Sequence, residues 1–152
     1  MDERMVVVAN VRGCNLPEDL YYLVERHVWA RPEADGLVTV GMTDVAQHMA
    51  GKIIVVTPKA PGRSLARGKS AGTLESGKWV GAVPSPVSGE IVAVNPDLKA
   101  DPSLVNRDPY GAGWIIRLRP GDWEGEKQDL STGAEGVEAY RRFMEKEGLE
   151  CA

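Results

Sequence analysis

Six short runs of the chain cluster or alternate apolar and β-branched residues and stop at glycine or proline. They are "LVTVGMT" (37–43), "GKIIVVTP" (51–58), "AGTLES" (71–76), "WVGAVPSP" (79–86), "GEIVAVN" (89–95) and "GWIIRLRP" (113–120). Period-two patterning bounded by turn residues predicts β-strands. Strands this short and this regularly interrupted point to an antiparallel sandwich or flattened barrel rather than a βαβ fold. The interruptions are built into the composition, since 27 of the 152 residues are Gly or Pro.

Three stretches carry helical spacing instead. In "PEDLYYLVERH" (17–27) apolar residues fall at 20, 23 and 24 behind acids, which predicts a short helix, with a strand starting at Tyr21 as the competing reading. "TDVAQHMAG" (43–51) offers Thr43 as N-cap, Gly51 as stop, and Val45, Ala46 and Met49 on one face. "GAEGVEAYRRFMEKEG" (133–148) sets Val137, Tyr140, Phe143 and Met144 at helical intervals, an appendage to the β core. No long linker or low-complexity segment intervenes, so residues 1–152 read as one domain. The segments 51–76 and 80–106 each combine strand, turn and strand, as if two halves folded back on each other with Lys78 at the outer corner.

Composition narrows the function classes. A balance of 18 Lys+Arg against 22 Asp+Glu, with no basic run, argues against a nucleic-acid partner. The apolar run Met5–Ala9 is too short for a signal peptide or a membrane span, which predicts a cytoplasmic protein without a membrane partner. Cys14 and Cys151 lie at opposite ends, so no C-x-x-C pattern exists, and in a reducing cytosol two free thiols are expected. His27 and His48 lack clustered partners in sequence, so no metal site is expected. No nucleophile–base set appears, which argues against an enzyme.

One lysine stands apart. In "TLESGKWVGAV" the Ser76-Gly77 turn signal and flanking strand patterns put Lys78 at a hairpin tip, its side chain directed away from the body. An exposed amine is protonated and a poor nucleophile at neutral pH, so modification there requires an enzyme and an activated acyl donor. By spacing alone, a solvated turn lysine is the simpler reading.

The surrounding blocks change that weighting. "HVW" (27–29), "DGLVTVGMTDVAQHMAGKIIVV" (35–56), "LESGKW" (74–79), "SPVSGEIVAVN" (85–95) and "LVNRDPYGAGWIIRLRP" (104–120) together resemble the glycine cleavage H protein, in order from about His27 to Pro120. The resemblance implies a mainly β barrel-sandwich hybrid of two facing antiparallel sheets, with a core over 27–120. It implies a non-catalytic carrier with lipoate amide-linked to Lys78. Glu75 matches the family's acidic residue used by lipoate-attaching enzymes, and Gly89 its glycine in a strand beside the tip. Two positions depart from the family, Gly77 for a small aliphatic residue and Trp79 for alanine. With "VRGCNLPEDLYYLVERHVWARPEADG" and the C-terminal "GAEGVEAYRRFMEKEGLEC", the tip looks more like the lipoate-binding protein of sulfur oxidisers. That likeness implies a dithiol arm that carries sulfur intermediates among the subunits of a heterodisulfide-reductase-like complex; a monomer is expected. The alternative partners are the glycine cleavage enzymes. Either way the cofactor does the chemistry and the protein positions it.

Competing signals are weaker. "GRSLARGKS" (62–70) has five residues between glycines where a phosphate loop has four, and "GAGWII" (111–116) lacks the third glycine of a dinucleotide fingerprint. Biotin carriage shares the expected architecture, but biotinyl lysines usually sit between methionines, which Lys78 does not. His27 is expected either to touch a bound arm or to anchor its strand. Trp29, Tyr110 and Trp114 are expected to pack.

Overall fold

The computed structural model describes residues 6–151. Among these residues twelve strands run in chain order. The first six are β1 (Val8–Val11), β2 (Cys14–Pro17), β3 (Tyr21–Leu23), β4 (Val28–Pro32), β5 (Val38–Met42) and β6 (Ile53–Pro58). The others are β7 (Ser64–Leu65), β8 (Ser70–Ser76), β9 (Val80–Pro84), β10 (Gly89–Val94), β11 (Ile116–Pro120) and β12 (Ser131–Thr132). Five α-helices accompany them: α1 (Asp44–Ala50), α2 (Asp97–Ala100), α3 (Leu104–Arg107), α4 (Trp123–Glu126) and α5 (Gly133–Glu147).

A seven-stranded antiparallel sheet, ordered β12-β3-β4-β5-β11-β10-β7, accompanies a three-stranded sheet, β6-β8-β9. All six strands read from the sequence are present. The alternation in β8 shows why: Gly72, Leu74 and Ser76 are buried while Thr73 is exposed and Glu75 half-buried. Val38, Val40, Ile91, Ile116 and Leu118 from the long sheet share one core with Ile53, Ala71, Leu74 and Val83 from the short one. Fully burying each such side chain is worth about 1.5–3 kcal/mol, so this layer is the main source of cohesion. The expected symmetric halves are only partly realised. β6, β8 and β9 make one sheet, but β10 leaves to pair with β11 and β7.

The predicted helix over 17–27 is not formed, and the competing strand from Tyr21 is. β3 occupies Tyr21–Leu23 and a single 3-10 turn follows over Val24–Arg26. Tyr22 is 1% exposed, whereas its neighbours Tyr21 and Leu23 are half-buried, a period of two. The Tyr21 ring meets Trp123 edge-on at 5.0 Å, and the Tyr22 hydroxyl donates to the Pro17 carbonyl. Tertiary pairing with β4 thus overrides a weak helical pattern.

Helix α1 follows the sequence reading closely. The Thr43 hydroxyl accepts from the Ala46 amide, and the Gly51 amide donates to the Gln47 carbonyl. Helix α5 ends at Gly148 in the left-handed region, also as read. It is more than an appendage. Val137, Tyr140 and Met144 enter a second core with Val11, Leu16, Leu20, Tyr22 and Trp29, on which the β1–β2 hairpin also packs. Trp29 is fully buried, its indole N–H donating to the carbonyls of Met42 and Pro109.

The two cysteines are joined: Cys14 and Cys151 form a disulfide with Cα atoms 5.0 Å apart. This corrects the expectation of two free thiols. The β1–β2 turn captures the C-terminal tail through the Cys151 amide donating to the Arg12 carbonyl at 2.9 Å. The Arg12 side chain donates in turn to the Leu149 carbonyl. Gly13 has φ +87°, and a Cβ there would lie 1.9 Å from the Cys151 carbonyl oxygen, so only glycine admits this approach. Of the N-terminal apolar run, Met5 lies outside the described residues, as does the preceding "MDER". Among the described residues no helix is long and apolar enough to cross a membrane.

Candidate functional site

The turn between β8 and β9 holds Gly77, Lys78 and Trp79, all exposed. It is closed by the Ser76 amide donating to the Trp79 carbonyl at 2.8 Å. Ser76 is also the anchor. Its hydroxyl, buried within the protein, donates to the Ala50 carbonyl at 2.6 Å and accepts from the Lys78 amide at 3.3 Å. The tip is thereby pinned to the end of α1, while the Lys78 side chain is left in solvent. Each such bond contributes about 1 kcal/mol net, enough to hold a two-stranded tip in one position. Gly77 does not use positive φ, so the turn does not depend on the freedom its sequence signal offered.

Two glycines seat the side chains of the tip. Lys78 passes over Gly51, where a Cβ would meet its Cε at 3.2 Å. Gly51 itself has φ +82° and ψ −166°, a conformation confined essentially to glycine. Trp79 folds back onto Gly81, its ring lying where a Cβ would stand.

Trp79 also forms one wall of a cleft of about 290 Å³, which therefore begins at the residue next to Lys78. Met42, Ala46, Met49, Ala50 and Ala82 give it apolar surface, and Glu25, Arg26 and His27 give it a polar side. His27 anchors its segment to α5 and also faces the cleft. It lines the cleft, and its Nδ1 hydrogen-bonds the Tyr140 hydroxyl, which contacts the Thr43 hydroxyl at 2.8 Å. Burial lowers its pKa from 6.5 to about 4, so the ring is neutral in the folded chain at pH 7.

That shift makes a prediction. The unfolded chain gains a proton below about pH 6.5 that the folded chain refuses until about pH 4, so the stability His27 lends at neutral pH is lost as pH falls between them. His27 sits at φ +59°, which asparagine tolerates, so His27→Asn removes the titration without straining the backbone. From pH 7 to 4.5 the wild type should lose about 2–3 kcal/mol more than this variant in urea unfolding. Parallel losses would refute it.

The other sequence candidates fall in different places. Glu75 is half-buried on β8, flanked across the sheet by the exposed Val55 and Val80. Ile54 and Trp79, their neighbours in the chain, are exposed as well. Gly89 is not brought to the tip; it lies in the other sheet, between Leu65 and Pro120. Trp29 packs as expected, and Trp114 lies beneath the Arg117 guanidinium at 4.3 Å. His48, read as unclustered, stands beside Asp44 and Cys151, whose donor atoms all lie within 4.8 Å of one another. Sequence spacing could not show this, because the disulfide and the tail contacts bring Cys151 to α1 from the far end of the chain.

The profile of the family described as "Glycine cleavage H-protein" matches residues 20–147. "Glycine cleavage system H protein 2" of Aquifex aeolicus is 47% identical over 95% of this chain and 89% of its own length. "Glycine cleavage system H protein 5" of the same organism is 46% identical, over 95% of this chain and 99% of its own length. The crystal structure of a glycine cleavage system H protein from Mycobacterium marinum superposes with a TM-score of 0.69 at 32% identity, covering 88% of this chain and all of that one. The paired sheets, the hairpin-borne lysine and this similarity across nearly the whole length lead to one assignment. The chain belongs to the glycine cleavage H-protein family and has its barrel-sandwich fold, that of non-catalytic proteins carrying lipoate covalently attached to a lysine.

Proposed function

We propose that this chain, lipoylated on Lys78, carries the aminomethyl group of glycine between the enzymes of a glycine cleavage system. The observation that carries the reading is the placement of Lys78. It projects into solvent from a turn that Ser76 fixes to α1, beside a cleft with apolar walls. The residues suit the group: Lys78 offers the exposed amine, Gly51 leaves room beneath its stem, and Trp79 with Met42, Ala46 and Met49 offers an apolar resting surface. When bound, lipoate supplies a disulfide–dithiol pair that takes up and releases the cargo. The chain's own part is to orient the arm and to shield what it carries from water in the cleft. The names of the relatives and of the solved structure support glycine cleavage in particular.

Attachment requires recognition of the tip. Glu75, framed by exposed Val55 and Val80, presents a carboxylate for a lipoate-attaching enzyme to grip by charge-assisted contacts. Glu75→Gln should slow lipoylation roughly 10- to 100-fold, the loss of one charge-assisted bond of about 1.5–3 kcal/mol, without lowering the melting temperature. Equal attachment rates would count against this role.

A second reading, sulfur carriage for a heterodisulfide-reductase-like complex, is favoured by Trp79. Its indole, 38% exposed, stands at the point where any partner must approach the arm. That relatives numbered 2 and 5 come from one organism leaves room for carriers with different partners. Specificity of this kind often rests on features that obstruct the wrong partner. The deciding experiment incubates lipoylated wild-type chain with glycine decarboxylase and glycine and follows intact mass. An aminomethyl increment formed at the rate of an authentic H protein supports the first reading. Failure in wild type with partial recovery in Trp79→Ala supports the second.

A further inference from the structure

We infer that, once its disulfide is reduced, the chain binds a single zinc-class divalent cation between Cys14, Cys151, Asp44 and His48. The set is assembled by three separate segments. Helix α1 places Asp44 and His48 four residues apart on one face, with His48 Nε2 3.7 Å from Asp44 Oδ1. The tail brings Cys151, whose sulfur lies within 4.8 Å of both donor atoms and contacts the Asp44 carbonyl at 3.8 Å. The β1–β2 turn brings Cys14, whose sulfur is bonded to that of Cys151. Tetrahedral zinc holds sulfur at about 2.3 Å and nitrogen or oxygen at about 2.0–2.2 Å, so adjacent donors lie roughly 3.3–3.8 Å apart. The histidine–carboxylate separation is already close to that, the Cys151 sulfur is within 4.8 Å of both, and Cys14 is carried next to it by the bridge that reduction opens.

The surroundings suit a metal as well. The Asn15 amide donates to Asp44 Oδ2 at 2.8 Å, and the Gln47 side chain donates to Oδ1, fixing the carboxylate in the manner of outer partners at metal sites. Three donors are buried, whereas the His48 side chain is 40% exposed, so the ion has a way in past the imidazole. Two thiolates with an imidazole and a carboxylate favour zinc over magnesium or calcium. In the disulfide state the sulfurs are not thiolates and the set is incomplete.

A dithiol reductant gives two electrons and two protons to the disulfide, leaving two cysteine thiols and closing its own disulfide. Zinc then displaces both thiol protons and takes up neutral His48 and the Asp44 carboxylate. The inference uses neither Lys78 nor lipoate, so it is independent of the function proposed above.

The test uses the full chain in three forms: oxidised, reduced with a phosphine, and reduced His48→Ala. Calorimetric titration with Zn²⁺ should give one equivalent bound to the reduced wild type and no stoichiometric binding to the oxidised form. His48→Ala, a change at an exposed position, should weaken affinity at least about 10-fold. Co²⁺ added to the reduced wild type should show thiolate-to-metal charge-transfer absorption. Equal binding by oxidised and reduced chains, no binding by the reduced chain, or unchanged affinity in His48→Ala would each overturn the inference.

Discussion

Lys78→Arg should abolish the lipoyl mass increment and with it all carrier activity, leaving thermal stability unchanged. Arginine keeps the positive charge and the length of the stem, but its guanidinium does not form the amide. The turn itself depends on Ser76 and on backbone bonds, and Lys78 contributes to it only its amide. Substitution at so exposed a position should change stability by no more than about 0.5 kcal/mol. Other lysines are poorer candidates. Lys127 is engaged with Glu124 at 2.7 Å, Lys69 donates its amide within the turn before β8, and Lys146 lies on the last turn of α5. None of these stands on a closed hairpin tip. Intact mass spectrometry of wild type and variant, each incubated with a lipoate-attaching enzyme, reads the result. An increment persisting on Lys78→Arg would move the site to another lysine and remove the basis of the proposed function.

How far the sequence could carry this is visible in particular elements. The strands around the tip were legible because each buries one face and its turns fall at glycine or proline, as in β8. Lys78 was legible as the apex of such a hairpin, and the resemblance gave it a chemical purpose. Over 17–27 the competing strand from Tyr21 holds and the helix does not: Leu20, Leu23 and Val24 fit a helix, but the residue that decides the matter, Tyr22, is buried by pairing with β4 and by its edge-on contact with Tyr140 at 5.5 Å. The β1–β2 hairpin was overlooked although Gly13 marked its turn. Helices α2, α3 and α4 each span four residues, too few to show a helical period. The cluster at Cys151 was out of reach altogether, because its partners are separated by more than a hundred positions and meet only through the packing of α5 and the tail.

That long separation gives the disulfide a large expected effect on stability. Cross-linking residues 137 apart removes chain entropy from the unfolded state, by about 5 kcal/mol in the simplest account. The folded-state consequences run in the same direction. Cys14 and Cys151 belong to the second core, where β1 and β2 meet Val137, Tyr140 and Met144 of α5. Opening the bridge leaves the tail held by the Arg12 contacts, the Leu149 amide bond to the Met144 carbonyl and the packing of Leu149 and residue 151, none of them covalent. The double variant Cys14→Ala/Cys151→Ala, studied with a chelator to exclude metal, should therefore unfold at lower urea and melt roughly 10–20 °C below the oxidised wild type. Circular dichroism and urea unfolding measure both quantities. A difference below about 0.5 kcal/mol, the range of an ordinary surface substitution, would show that the bridge adds nothing to the tail's own contacts. Lipoylation provides an internal control. The tip is fixed through Ser76 and Ala50, on contacts that do not involve either cysteine, so below its melting temperature the variant should accept lipoate at the wild-type rate.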